Sequence, residues 1–287
     1  MVDMVAGNRR STSSEAAWIL AELLERQVRT LGFVRSRRMA ELLYIFVRDR
    51  LSETSPETVP RLSPYRASYL PEDRRRIERD LFEGRLLGLT TTNAMELGID
   101  IGDLDATVLT GYPGSIASTW QQAGRSGRSG ERSLSVLVAL DNPLDQYLMN
   151  HPDAFFGKSM ENARISPANP YVLKPHLVCA AYEAPITMSD IDYFGPELLL
   201  SAAELVDEQL LMTKGGRWHL RPEVSYPAQG VNIRSTSGHS YTLVEHDSGV
   251  ILETVEEMSA FLQLYPGAVY LHGGEPYLIS DLDLESR

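Results

Sequence analysis

The sequence predicts an α/β fold: a parallel sheet with helices on both faces, then a helical segment closed by a hairpin, then a small β-rich C-terminal region. Three observations carry this. Short apolar runs alternate with 3.6-residue patterns over residues 15–145, as buried parallel strands and their covering helices do. Composition shifts near residue 142 toward Pro, Asp and aromatic residues, which marks a crossing connector. Beyond Tyr226 the helical period gives way to short β-type runs. The expected divisions are a flexible N-terminus over 1–14, the sheet domain over 15–145, a connector over 146–170, a helix-and-hairpin domain over 171–225 and the β-rich region over 226–287.

Along the chain, Ala17, Ile19, Leu20, Leu23, Leu24 and Val28 keep helical spacing behind Ser13 or Ser14 as N-cap. Thr30–Val34 predicts a buried strand, Arg35–Arg38 a polar turn, and Met39–Leu51 a second amphipathic helix. Ser52–Ser63 reads as a loop, Tyr65–Tyr69 as a strand, and Pro71–Phe82 as a charged helix with Pro71 in its first turn. Leu86–Thr91, Ala106–Leu109 and Ser133–Leu140 predict three more buried strands. Lys174–Glu183, Ser189–Phe194 and Glu197–Leu211 predict helices, and Leu210–Leu220 folds back at Gly215-Gly216 as a hairpin. Helices ended by such a hairpin describe a winged helix. Strands are expected at Val231–Arg234, Ser240–Val244, Val250–Thr254, Ala268–Leu271 and Tyr277–Ile279, with a helix around Glu256–Leu264.

The net charge of −12 is uneven. Residues 1–150 hold 19 arginines against 20 acidic residues, while 151–287 hold 8 basic against 19 acidic. This argues mildly against nonspecific nucleic-acid binding, yet an arginine-lined groove still holds a backbone, because nearby charge dominates in screened solvent. No apolar run approaches the roughly 18 residues of a membrane span. The start lacks a signal peptide's apolar core, so a cytoplasmic protein is expected. The single cysteine, Cys179, excludes an internal disulfide and a multi-cysteine zinc site.

The stretch Thr90–Arg132 carries the chemistry. A strand, a loop ending in Gly98-Ile99-Asp100 and a second strand lead to Gln121–Arg128, Q-Q-A-G-R-S-G-R. Arg125 and Arg128, three residues apart near a helix turn, project from one face. Ala123, Gly124, Ser126 and Gly127 let a polyanion approach the backbone, and a guanidinium pair suits a phosphate chain. A phosphate-cradling G-x-x-x-x-G-K-[ST] loop is absent: Gly157-Lys158-Ser159 has Pro152 where the first glycine is needed.

Q-x-x-G-R-x-G-R behind Thr92–Asp100 resembles motifs VI and V of superfamily 2 helicases, and Leu31–Arg38 resembles their motif IV. Tyr65–Arg74 resembles a segment written YHGGL…R in relatives, from which Arg66, Ala67 and Ser68 depart. YRASYLPEDRR, NAMELGIDIGDLDATVLTGYPG, WQQAGRSGR and YPGAVYLHGGEPYLI together are similar to the YprA/MrfA-type DNA helicases, a mitomycin-repair group related to RecQ4-like enzymes.

That resemblance implies a second RecA-like domain, a winged helix and the start of a β-rich region: the C-terminal half of an ATP-dependent DNA helicase motor, translocating 3′→5′ in DNA repair and nucleoid-associated. It makes Arg128 the arginine finger, Arg125 a phosphate contact, and Gln121 a group that orients water or the partner lobe. Asp100 and Gly98 become nucleotide contacts, with pairing to an arginine or capping of its loop as the alternatives for Asp100, and Ser36, Arg37, Thr92 and Asn93 become contacts to single-stranded or forked DNA. ATP and Mg²⁺ belong to the intact enzyme, mainly on an N-terminal RecA-like domain absent from these residues, so this piece alone is expected to bind neither and not to hydrolyse ATP. A four-cysteine domain is likewise absent, and Met1 is expected to begin a truncated product. The alternatives are a stand-alone DNA-binding or protein-docking module, or a fragment of an RNA helicase. Trp120 is expected to pack on the sheet rather than stack on a base, while Trp218 and His219 on the wing are open either to duplex contact or to solvent alone.

Overall fold

Five short strands, β1 (Thr30–Phe33), β2 (Leu62–Tyr65), β3 (Gly88–Thr91), β4 (Ala106–Thr110) and β5 (Leu134–Val138), pair in parallel in the order β2-β3-β1-β4-β5. The computed structural model describes residues 10–97, 104–127, 132–162, 165–231 and 239–287, which divide into two compact units: 1–161 with 240–287, and 162–239. Helices α1 (Thr12–Glu25) and α2 (Arg37–Thr54) lie on one face of the sheet, and α3 (Pro71–Phe82) lies on the other.

Side-chain alternation on β1 shows how the two cores form. Leu31 and Phe33 enter one core with Ile77 and Leu81 of α3. Gly32 faces the other core, where a Cβ would sit 2.8 Å from Leu20 Cδ2 and 3.2 Å from Leu43 Cδ2. Gly88 likewise stands against Leu24 Cδ2 at 2.8 Å. Two bare backbone positions thus let α1 and α2 settle onto the sheet.

The chain then runs through α4 (Ile116–Ala123), α5 (Pro143–Asn150) and the single turn α6 (Asp153–Phe156). Several expectations change here. The second strand is Leu62–Tyr65 rather than Tyr65–Tyr69, because a 3₁₀ segment, Pro56–Arg61, consumes most of the expected loop. The expected connector holds two helices. Strand β5 is half-exposed rather than buried, since it closes the sheet at an edge with no further partner among the described residues. Ser11, not Ser13 or Ser14, caps α1.

Residues 162–239 form their own core. Helix α7 (Pro170–Glu183) starts earlier than Lys174, as Asn169 caps it and Pro170 sits in its first turn. Helices α8 (Ile191–Phe194) and α9 (Leu198–Asp207) follow, then the hairpin β6 (Leu211–Lys214) and β7 (Arg217–Leu220). Ile186 bridges antiparallel to Trp218 through Ile186 N→Trp218 O at 2.9 Å and Trp218 N→Ile186 O at 3.0 Å. Helices closed by a two-stranded hairpin, with Ile186 bridged to its second strand, are the winged-helix arrangement. Trp218 is half-buried and packs against the core that holds Leu173, Leu177 and Leu205.

The remaining elements, β8 (Ser240–Val244), β9 (Ile251–Glu256), α10 (Glu257–Gln263), β10 (Val269–His272) and β11 (Glu275–Leu278), form two antiparallel hairpins with one helix between them. The strand expected at Val231–Arg234 falls almost wholly outside the described residues. Tyr69 forms an isolated antiparallel bridge with Glu253, so β9 joins the chain just beyond β2.

Candidate nucleotide and nucleic-acid interface

In open α/β sheets, ligands gather beyond the carboxyl ends of the strands. Here those ends surround a cleft of about 250 Å³ lined by Val34 and Arg35 after β1, Asn93 after β3, Gly111 and Pro113 after β4, and Ser118 and Gln122 of α4. Val34 N donates to Thr91 O at 2.9 Å, which holds the first two ends together. Thr92 caps the 3₁₀ turn Asn93–Met95, its hydroxyl accepting from Ala94 N at 3.4 Å.

Helix α4 positions the motif. Ser115 caps it by accepting from Ser118 N at 3.0 Å. Glu161 accepts from Ile116 N at 2.6 Å and from Ala117 N at 3.1 Å, and these backbone N–H donors hold its carboxyl below the ordinary range. The helix ends at Ala123, so Arg125 stands in the following turn rather than on the helix. Gly127 then takes φ of +77°, a left-handed geometry that favours glycine, and donates to Leu104 O at 3.0 Å.

Gln121 projects to solvent from α4, while Gln122 is buried. Gln122 Nε2 donates to Glu96 Oε2 at 3.0 Å, and Ser118 Oγ donates to the same oxygen at 2.8 Å. Arg125, only 6% exposed, donates through Nη2 to the Glu96 carbonyl. The loop after β3 is therefore joined to the turn bearing Arg125 through one residue, Glu96. Sequence reasoning passed over both Glu96 and Gln122. The available signal was the i, i+4 spacing of Ser118 and Gln122. Gly98, Asp100 and Arg128 lie outside the described residues.

Ser36 and Arg37 stand apart from this cleft. Ser36 caps α2 by accepting from Met39 N at 3.3 Å, and Arg37 is the first residue of that helix. Trp120 does not sink into the sheet: it is 44% exposed and meets Phe155 at 5.7 Å and Phe156 at 6.0 Å between ring centroids.

The Gly157-Lys158-Ser159 string does not fit a triphosphate cradle. Gly157 ends the short α6 instead of opening a helix after a strand, and a Cβ on it would meet Asp153 O at 2.8 Å. Among the described residues, no cluster of three or more His, Cys, Asp or Glu is placed to hold a metal ion, and no helix is long and apolar enough to cross a membrane.

The departure at Arg66 has a structural cause. Arg66, 2% exposed, lies between Glu41 of α2 and Glu253 of β9. Its Nε is 3.2 Å from Glu41 Oε1, and its Nη2 donates to both Glu253 oxygens at 3.1 and 3.0 Å and to Leu271 O at 3.2 Å. Tyr69 Oη and Gly274 N donate to Glu41, both at 2.7 Å; Ser68 Oγ, at 3.0 Å, and Tyr270 Oη donate to Glu253. Arg66 thus fixes the terminal β hairpins to the sheet layer.

Residues 15–130 match the helicase conserved C-terminal domain, and residues 165–236 match the winged helix domain of the ATP-dependent helicase HRQ1. The chain is 40% identical to the ATP-dependent helicase YprA of Bacillus subtilis over 283 residues, 97% of this chain and 37% of that protein. It is 37% identical to the ATP-dependent helicase hrq1 of Schizosaccharomyces pombe, over 97% of this chain and 26% of that protein. A crystal structure of the DUF1998 helicase MrfA bound to DNA superposes with a TM-score of 0.82 at 39% identity, covering 99% of this chain and 40% of that one. A second MrfA structure, bound to DNA and AMPPNP, superposes equally well. The chain therefore spans about two fifths or less of each of these relatives.

Proposed function

For a chain that belongs to the YprA/Hrq1 type of ATP-dependent helicases and holds their helicase conserved C-terminal domain and winged helix, we propose the role of second motor lobe in a DNA helicase. One observation carries the reading: the turn bearing Arg125 is braced by Glu96 at the carboxyl edge of the sheet, beside a cleft large enough for part of a ligand but lacking a phosphate loop. Such a lobe completes a nucleotide site that another lobe holds. The substrate ATP with its Mg²⁺ would bind there, and the contribution of this chain is positive charge. Arg128 is the arginine finger, Arg125 a phosphate contact and braced support, Gln121 a solvent-facing group available to water or the opposite lobe, and Gly98 with Asp100 the link to the nucleotide. A finger of this kind is worth on the order of 10³–10⁵ in rate.

Ser36, Arg37, Thr92 and Asn93 are assigned to the backbone of single-stranded DNA. All four lie at strand carboxyl ends or just beyond them. MrfA, the structural relative, is itself bound to DNA, which supports DNA over RNA. Translocation 3′→5′ and service in DNA repair complete the proposal.

The test joins this chain to its first lobe and measures DNA-stimulated ATP hydrolysis. Arg128→Ala is expected to abolish turnover while leaving DNA binding in place, and undiminished turnover would overturn the finger. Strand displacement on forks with a 3′ tail but not with a 5′ tail is the expected polarity, and the reverse preference refutes it.

A further inference from the structure

A second, larger groove of about 720 Å³ opens in the same unit, between the start of α2 and the terminal β hairpins. On one wall stand Ser36, Arg37 and Arg38; on the other stand Ser259, Gln263 and Tyr265, with β10 between them. Arg66 forms the floor, its charge already engaged by Glu41 and Glu253. No lining residue is acidic, although the chain carries 39 acidic residues against 27 basic ones. Arg37 and Arg38, whose side chains line the groove beside the already engaged Arg66, supply the positive charge that attracts a polyanion locally. Tyr265, which follows α10, is 54% exposed and carries an aromatic ring at the groove.

We infer that α10 and β10 of the terminal region build the second wall of a single-stranded DNA groove, with Gln263 meeting the backbone and Tyr265 stacking on a base. This rests on the assignment of Ser36 and Arg37 to DNA and extends it to a part of the chain with no assigned role. The chemistry is that of sequence-tolerant strand binding: cations follow the phosphates and an aromatic face carries a base. The Arg66 anchor is what makes the wall usable, because it holds β9 and β10 against the sheet layer at a fixed spacing from Arg37.

The experiment titrates the full 287-residue chain into fluorescently labelled oligo-dT at several salt concentrations. Tyr265→Ala is expected to weaken binding by roughly five- to hundredfold, the range for one stacked base. Gln263→Glu is expected to weaken binding and Gln263→Lys to strengthen it. Ser280→Glu, on an exposed residue outside the groove, changes net charge equally and is expected to leave affinity unaltered. Arg37→Ala should weaken binding and reduce the salt slope by about 0.7. Loss of affinity with Arg37→Ala but not with Tyr265→Ala or the Gln263 pair overturns the second wall and leaves the DNA assignment of Arg37 standing. Unchanged binding in every variant overturns both, as does an equal loss in Ser280→Glu for the charge argument.

Discussion

Glu96 Oε2 accepts from Gln122 Nε2 at 3.0 Å, across 26 residues of chain. Ser118 Oγ shares the same oxygen, and the Glu96 carbonyl receives Arg125. One residue therefore takes three side-chain donors from the segment leading to the arginine motif. A displacement of the loop after β3, where the DNA contacts Thr92 and Asn93 are proposed, cannot leave the Arg125 turn untouched. This is a physical route by which the loop after β3 and the turn bearing Arg125 would report on each other.

Glu96→Ala leaves the buried Gln122 amide without this acceptor and frees the Ser118 hydroxyl. An unsatisfied buried donor costs about 1–3 kcal/mol, so the larger unit should unfold at correspondingly lower denaturant. Because Gln122 acts through Glu96, adding Gln122→Ala to Glu96→Ala should cost little more than the first change alone. A double-mutant cycle with fully additive losses would show that the two residues act separately.

Arg66 answers two buried carboxylates with one cation. Arg66→Met leaves Glu41 and Glu253 facing each other without it, and removing one partner of a buried ion pair typically costs about 3–5 kcal/mol. The expected outcome is loss of the docked β hairpins, read as faster hydrogen exchange across Ser240–Arg287 than across α1. Adding Glu253→Leu to Arg66→Met should recover part of that loss, since one uncompensated charge is then gone. Protection unchanged by Arg66→Met would mean that the hairpins are held by other contacts.

The same cluster makes docking sensitive to acid. Burial alone would push the Glu253 carboxyl up, but His272, Arg66, Tyr270 and Ser68 outweigh it and hold the carboxyl below the ordinary range. A depressed folded-state value means that folding favours the ionised form. Its contribution is therefore complete above the ordinary carboxylate pKa and is lost as the pH falls through the depressed value. Thermal stability should drop along an acid limb below about pH 4, near the unfolded carboxylate value. Glu253→Gln should lower stability at neutral pH and flatten that limb. An acid limb of unchanged steepness in the variant would assign the titration to other groups.

Much of this architecture was legible because period is a local property. Short apolar runs marked four of the five strands of the parallel sheet, β2 being displaced, and Gly215-Gly216 marked the wing. The arginine motif stood out for the same reason: it is contiguous. Gln122 was not, because two adjacent glutamines look alike in sequence, and only the rotation of α4 turns one to Glu96 and the other to water. Strand β5 read as buried because SLSVLVAL is apolar, yet burial depends on a neighbour beyond the edge. Arg66 and Glu253 are 187 residues apart, and no local pattern pairs them. The departure at Arg66 from its relatives' pattern did not reveal the contact that explains it.

Gly32 offers the sharpest packing test. It lies mid-strand in β1, with strands on both sides and helices α1 and α2 above it. A methyl there would stand 2.8 Å from Leu20 Cδ2 and 3.2 Å from Leu43 Cδ2, closer than carbon atoms pack. Both neighbours are side-chain ends, so they can move, but only by leaving good rotamers in a filled core. Gly32→Ala is therefore expected to cost about 1–3 kcal/mol, the range for overpacking. Trimming the opposing side chain relieves the clash: Leu20→Ala in the Gly32→Ala background should cost less than Leu20→Ala alone. Chemical denaturation of the four variants decides it, and two independent, additive losses would mean that the contact between β1 and α1 is looser than these distances imply.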